Sequence, residues 1–297
     1  MKITIIGGGA VGLLTSGYLT ELGHEVDLIT KTEEQASLIH KHGVTIKRKG
    51  IERSYKVRVT SFQNNLSPNA DLYIITLKQW HLHDFFLQWN GTKQPILMLQ
   101  NGMGHMETAM EYLTESSLYA GSVTHGALKI DEVTVEHTGI GDIVIGPWLN
   151  NCPPLVDLID EVHTHFPIHY TNDIQYILKR KLLINLVVNP LTCIYQVKNG
   201  ELLNNPYFYK NVRGLFEEGI QVLGLDDLEW EVVKKVISQT SENKSSMFRD
   251  MEKGLPTEVE AITGYVLKVA EHKGISLPLT SFVHKSILGL ERGKCHE

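Results

Sequence analysis

The chain has little cysteine. Its 297 residues hold three, Cys152, Cys193 and Cys295, far apart, odd in number and without a CxxC pair. Neither a zinc ribbon nor a disulfide framework is supported, and a reducing cytoplasm suits such usage. Long hydrophobic runs are missing too. Nothing approaches the ~18 apolar residues of a membrane span. The stretch Ile3–Ile6 is too short for the apolar region of a signal peptide and runs directly into glycines. A cytoplasmic protein with no membrane partner is therefore expected. Positive charge is not in excess: 28 Lys and Arg face 34 Asp and Glu, for a net charge of −6. A polyanion binder wants a basic face, so nucleic acid is not the expected partner. The pairs His81/His83 and His163/His165 lack an acidic or cysteine partner at useful spacing. They read as exposed histidines, not a metal site. No repeat, low-complexity tract or Ser/Gly-rich linker interrupts the chain.

What is present is an ordinary globular balance, 42% apolar and 21% charged, in a length that suits two domains. The first half alternates strand-like and helix-like segments. KITIIG, HEVDLIT, ADLYIITLK, PILMLQNG and LYAGSVTH read as strands, with helical AVGLLTSGYLTELG, TEEQASLIHKHG and ETAMEYL between them. GVTIKRKG and SYKVRVT are β-like and suited to pairing. ALKIDEVTVEHTGIGDIVIG alternates apolar and polar residues, a pattern of antiparallel strands at a sheet edge. Beyond about residue 170 the pattern becomes helical, as in NVRGLFEEGIQVLG, LEWEVVKKVISQT and TEVEAITGYVLKVAEHKG. The expected fold is α/β: an N-terminal Rossmann-like doubly wound parallel sheet with an all-α C-terminal domain. The expected domains are 1–168 and 169–297, abutting closely. Phe208, Trp230, Phe248 and Phe282 of the helical half would serve its core by default, or a homodimer.

MKITIIGGGAVG places Gly7-x-Gly9-x-x-Gly12 directly after a strand and at the start of a helix. The first glycine permits the tight turn. The second leaves room for a pyrophosphate against the backbone, and the third lets strand and helix pack closely. The anion then meets unpaired N–H groups at a helix N-terminus. The loop Gly7, Gly8, Gly9, Ala10, Val11, Gly12 is thus the predicted dinucleotide cradle. An NAD site usually carries an acid at the end of the second strand. Here that end is Thr30-Lys31, and Asp27 lies too early, inside the strand. A lysine there would neutralise a 2′-phosphate, which favours NADPH. Ligands in such sheets collect outside the carboxyl ends of the strands, where Lys78, Asn101 and His125 also fall.

A second constellation opens the helical half. In KRKLLINLVVNPLT, Lys181, Asn185 and Asn189 recur every four residues and share one helix face among Leu and Val. Pro190 is expected to break or kink that helix, and Asn199-Gly200 to mark a turn. Thr257-x-x-Glu260 reads as a capping box that places Glu258 in a helix's first turn.

GGGAVG, ITLKQW, QNGMG, THGA, KLLINLVVNPLT…NGEL and SSM…TEVEAITGY, in that order and nearly end to end, resemble the ketopantoate reductase (2-dehydropantoate 2-reductase) family. The resemblance implies a cytoplasmic NADPH enzyme of pantothenate biosynthesis that reduces a 2-keto acid. Carried over by motif, Lys181 would be the catalytic proton donor. Asn185, Asn189, Asn199 and Ser246 would hold the substrate carboxylate and hydroxyl, and Asn101 would touch substrate and cofactor. Lys78, Ala127 and Glu258 would line the nicotinamide and ribose side, and Lys31 would meet the 2′-phosphate. Two departures stand out. Family members often have Arg where this chain has Lys31, and Leu255-Pro256 replace residues that are commonly polar. A paralogous reductase of another branched 2-keto acid and a non-catalytic NADPH sensor are the rival readings. Retention of Lys181, Asn185, Asn189 and Glu258 counts against the sensor.

Overall fold

The structure is a computed structural model, and it describes residues 1–62, 70–89, 92–149, 152–159 and 163–294. Cys295 lies outside the described residues. The chain forms two compact units. One joins Met1–Gln100 to His105–Gln175; the other joins Asn101–Gly104 to the chain from Tyr176 onward.

The first unit is built on an eight-stranded sheet. Strands β1 (Lys2–Ile6), β2 (Glu25–Thr30), β5 (Arg58–Ser61), β6 (Leu72–Ile75), β7 (Ile96–Met98), β8 (Leu118–Val123), β11 (Ile143–Pro147) and β12 (Ile168–Tyr170) lie in the order β12-β11-β8-β7-β6-β1-β2-β5. All neighbours are parallel except β11 on β8. Helices α1 (Ala10–Glu21), α2 (Glu33–His42), α3 (Leu82–Gln88) and α4 (Gly104–Tyr112) connect the strands. The central strands read as nearly continuous apolar runs because both of their faces are covered: Ile3, Ile5, Leu28, Leu72 and Ile74 are buried on one face, and Ile6, Ile29, Tyr73 and Ile75 on the other.

Two segments depart from their sequence reading. SYKVRVT is not one strand: β4 (Ile51–Tyr55) ends before Lys56, and β5 joins the main sheet. β4 pairs with β3 (Val44–Arg48) in a second sheet that includes β10 (Thr134–Gly139) and β9 (Gly126–Lys129). The alternating stretch after residue 126 is likewise divided. β9 and β10 make a hairpin in the small sheet, while β11 runs antiparallel in the large one, with β12 outside it. Alternation reports one wet face and one dry face; it does not say which sheet supplies the dry one.

The second unit is helical: most of α5 (Ile174–Tyr195), then α6 (Glu201–Asn204), α7 (Pro206–Leu223), α8 (Glu229–Gln239), α9 (Ser246–Glu252), a π-helical turn Glu260–Gly264, α10 (Tyr265–Lys273) and α11 (Pro278–Lys294). Leu183 and Leu186 of α5, Val212 and Phe216 of α7, Val233 of α8 and Ile287 of α11 are fully buried. Helix α5 passes through Pro190 and ends five residues later, so the expected break does not occur there. Pro190 costs the helix one backbone donor. Burial of Leu186–Leu191 continues across it. Trp230 and Phe248 are core residues, and Phe208 stacks on Tyr195 at 4.0 Å; Phe282 is 64% exposed. Among the described residues, no helix is long and apolar enough to cross a membrane.

Candidate active site

The glycine turn has the shape its spacing predicts. Gly7 adopts φ +121°, and a methyl group on Gly12 would lie 1.8 Å from the Gly7 carbonyl oxygen, so neither position tolerates a side chain. A methyl group on Gly9 would meet nothing within 4 Å. Gly9 is the N-cap of α1 and offers no side-chain cap. The first turn of α1 is thus left with bare N–H groups beside open space, a seat that fits a pyrophosphate. Two residues outside the glycine motif brace it. The Thr76 hydroxyl reaches the Ile6 and Gly7 carbonyls at 3.1 and 3.0 Å. The Gln35 amide donates to the Gly8 carbonyl at 2.8 Å and to that of Glu132 at 2.9 Å, tying the loop to α2 and to the β9–β10 hairpin. Both contacts link residues tens of positions apart, so spacing could not reveal them.

At the end of β2, Lys31 is exposed and Thr32 caps α2 through Gln35 N–H at 3.2 Å. Lys31 acts electrostatically on His81, lowering its pKa alongside burial, the larger cause. The structure therefore brings Lys31 near the turn that follows β6. Lys78 opens that turn, exposed, its ammonium 5.8 Å from the Trp80 ring centre. Asp27 is engaged elsewhere: Arg58 on β5 forks onto it at 2.5 and 3.0 Å. Ala127 lies on β9 of the small sheet, opposite His137.

His125, at the end of β8, joins a buried chain. Tyr18 O–H reaches His137 Nδ1 at 2.7 Å, and His137 Nε2 reaches His125 Nδ1 at 3.1 Å. Gly141 N–H also donates to His125 Nδ1, which makes that atom an acceptor and puts the His125 proton on Nε2. Burial drives both histidines down to about 4; His137 adds to the effect on His125, and Arg48 to that on His137. Among the described residues, no group of three or more His, Cys, Asp or Glu side chains is placed to hold an ion.

In the second unit, α5 carries Lys181, Asn185 and Asn189 along one face, with Asn189 nearly buried. Arg180, next in sequence to Lys181, turns away to Glu229 of α8 at 2.8 Å. Burial lowers Lys181 to about 8, and the Glu258 carboxylate works against that shift. Glu258 Oε2 accepts the Asn101 amide at 2.8 Å. Lysine, carboxylate and amide, from sequence positions up to 157 apart, therefore form one cluster. The Asn101 loop is held close: Gly102 has φ +80°, and a methyl group on it would lie 2.4 Å from the Ala261 carbonyl oxygen.

The remaining residues stand nearby along α5. Thr192 O–H donates to Ser245 Oγ at 2.8 Å, and Ser245 caps α9, so the exposed Ser246 begins that helix beside the Asn189 turn. Asn199 starts the turn after α5. Its N–H donates to the Asn243 carbonyl and its side-chain amide to Thr240 Oγ1, each at 3.0 Å. Its Oδ1 is buried without a hydrogen-bond partner among the described residues.

A glycine cradle at the carboxyl edge of a parallel sheet, in a chain whose second unit is helical and bears the lysine cluster, defines a Rossmann-type protein with a seat suited to a dinucleotide's pyrophosphate. Comparison with known proteins gives the family. Residues 3–150 match Ketopantoate reductase PanE/ApbA and residues 173–291 match Ketopantoate reductase PanE/ApbA C terminal, and the chain belongs to that family. It is 39% identical to the 2-dehydropantoate 2-reductase of Bacillus subtilis over 98% of both chains, and 33% identical to that of Vibrio cholerae over the same shares. A crystal structure of the Bacillus subtilis protein, described as a probable 2-dehydropantoate 2-reductase, superposes with a TM-score of 0.90 at 38% identity, covering 98% of this chain and all of the other. A ternary structure of D-mandelate dehydrogenase with NADH and anilino(oxo)acetate also gives 0.90, at 24% identity, over 99% and 100%. That likeness is one of fold.

Proposed function

We propose that this chain reduces 2-dehydropantoate (ketopantoate) to (R)-pantoate with NADPH, as a cytoplasmic step toward pantothenate and coenzyme A, and that Lys181 is the proton donor. The observation that carries the reading is the Lys181–Glu258–Asn101 cluster, in a chain 39% identical to a 2-dehydropantoate 2-reductase. Functionally, residues 1–168 would serve the cofactor and 169–297 the substrate, with Asn101 serving both.

Gly7–Gly12 would hold the pyrophosphate, Lys31 the 2′-phosphate, and Lys78, Ala127 and Glu258 the ribose and nicotinamide side. The bound cofactor supplies hydride to the ketone carbon. As that carbon becomes tetrahedral, its oxygen gains negative charge. Lys181 meets it with a full positive charge and releases a proton from Nζ, leaving a hydroxyl group and a neutral amine. A lysine near 8 is mostly protonated at neutral pH yet gives up its proton more readily than one in water. Glu258 keeps the ammonium charged until then. Asn185, Asn189 and Ser246 offer amide and hydroxyl donors to the substrate carboxylate. The unsatisfied Asn199 Oδ1 suits a substrate hydroxyl, which donates, better than a carboxylate, which does not.

The test is purified protein with NADPH and ketopantoate, followed at the nicotinamide absorbance. Lys181→Ala should lower turnover by roughly 10²–10⁴ while NADPH binding, measured by fluorescence, persists. A mutant that turns over at the wild-type rate would remove Lys181 from the mechanism. Absence of ketopantoate reduction in the wild type would remove the substrate.

A further inference from the structure

The sequence pairs Thr257 with Glu260 as a capping box, and the structure separates them. Thr257 Oγ1 does accept Val259 N–H, at 3.3 Å. The returning bond, however, comes from elsewhere: Thr257 N–H donates to Glu291 Oε1 at 2.7 Å, across 34 residues. Glu260 instead points outward, 72% exposed, with His284 Nε2 at 3.8 Å. A carboxylate on a backbone N–H belongs to the stronger class of hydrogen bond. The helix that delivers it, α11, is fastened at its other end. Glu218 of α7 accepts Leu279 N–H at 2.9 Å, and Thr280 N–H and O–H at 2.7 Å each. Glu291 therefore reaches Thr257 from a helix already docked on α7.

The next residue is Glu258, the carboxylate that bonds Asn101 and acts on Lys181. Thr257 is nearly buried, whereas Leu255 and Pro256 before it are exposed. Leu255 N–H is tied to the Asp250 carbonyl of α9 at 2.9 Å and Pro256 has no N–H, so the peptide that Glu291 holds is the next backbone tie before Glu258. We infer that Glu291 is a positioning residue: by holding the Thr257 peptide from α11, it fixes Glu258 where its carboxylate faces Lys181. The inference deepens the proton-donor reading above and rests on it. Among the described residues, Glu258 is the charge seen to act on Lys181; Arg180 is turned to Glu229, and Glu260 and His284 face each other.

If Glu258 drifts, burial acts on Lys181 with less opposition, and the ammonium loses its proton at lower pH. The experiment measures the pH midpoint of Lys181 by amine labelling of the full-length protein with peptide mass spectrometry, beside the pH profile of kcat/KM. Glu291→Ala should lower the midpoint by roughly half to one pH unit and move the alkaline limb equally. Glu291→Gln, whose amide oxygen still accepts the Thr257 N–H, should keep both near wild type. A merely structural role would lower Tm and leave the midpoint in place, and that result overturns the inference. Should Glu291→Ala not fold, Glu291→Asp, one methylene short of the peptide, is read in the same way. Because labelling needs no turnover, a shifted midpoint in a protein that reduces no keto acid would sustain the link to Glu258 and refute the proton-donor reading.

Discussion

Cofactor choice turns on single residues. A 2′-phosphate brings about two negative charges, and in the proposed site the exposed lysine at the end of β2 would meet them. Lys is a point charge, able to neutralise without the fork an arginine would offer. Glu33, two residues on, is drawn to β5, where Ser61 O–H donates to its Oε2 at 2.6 Å. Lys31→Glu would put a second carboxylate at the strand end, repelling a phosphate and accepting from a ribose hydroxyl. The NADPH/NADH ratio of kcat/KM should fall by roughly 10²-fold or more and invert, with the change carried mainly by NADPH affinity. Unchanged ratios would place the 2′-phosphate elsewhere. Lys31 stands out in the sequence because the strand end is a topological address, and Lys181, Asn185 and Asn189 because they repeat with the helix; their roles are those proposed above. The sequence did not disclose Gln35, Thr76 or Glu291 as braces. Each of these acts on a backbone atom far away in the chain, a relation that no local period records.

At the scale of elements, the cluster depends on a loop gripping a turn. Asn101 and Gly102 press against Glu258 and Ala261, at the start of a π-helical stretch. Such stretches recur at functional sites because one wide turn re-aims the side chains around it. Gly102→Ala meets two obstacles, a left-handed backbone and a carbonyl oxygen at 2.4 Å. Gly224, the C-cap of α7, shares the first obstacle at φ +66° but has open space around it. Gly224→Ala should therefore cost about 1 kcal/mol of stability and leave kcat unchanged. Gly102→Ala should cost more and also lower kcat about tenfold or beyond, by moving the Asn101–Glu258 pair. Thermal melts and steady-state rates on both variants separate strain from misplacement; equal effects on kcat would refute the grip. Elements were legible where apolar pattern and turn residues agreed, as in the βα alternation and the α5 stripe. They were misread where a local signal met a tertiary one. Packing carried α5 through Pro190, and α11 supplied the partner that the capping box assigned to Glu260.

Acid stability belongs to the whole molecule, because the buried histidines join the large sheet to the small one. Tyr18 stands on α1, His125 follows β8 of the main sheet, and His137 lies on β10 of the other. Both histidines titrate near 4 when folded, and near 6.5 when exposed in the unfolded chain. The folded protein thus holds them neutral. Between pH 6.5 and 4 the unfolded chain binds more protons, so folding stability falls as pH falls through that window and is unaffected by the pair above it. Protonating His125 Nδ1 would also set an N–H against that of Gly141, removing an acceptor the fold uses. At about 1.4 kcal/mol per pH unit and group, the pair withdraws on the order of 5 kcal/mol across the window. His165 and Arg48, which also bear on His137, act in the same direction. Denaturant melts from pH 7.5 to 4.5 should show this slope, and His137→Gln should reduce it by nearly one proton. Carboxylates titrating in the same range contribute equally to both proteins and cancel in the comparison. Identical slopes would mean that His137 is already charged in the folded chain, and the hydrogen-bonded order from Tyr18 through His137 to His125 could not then hold.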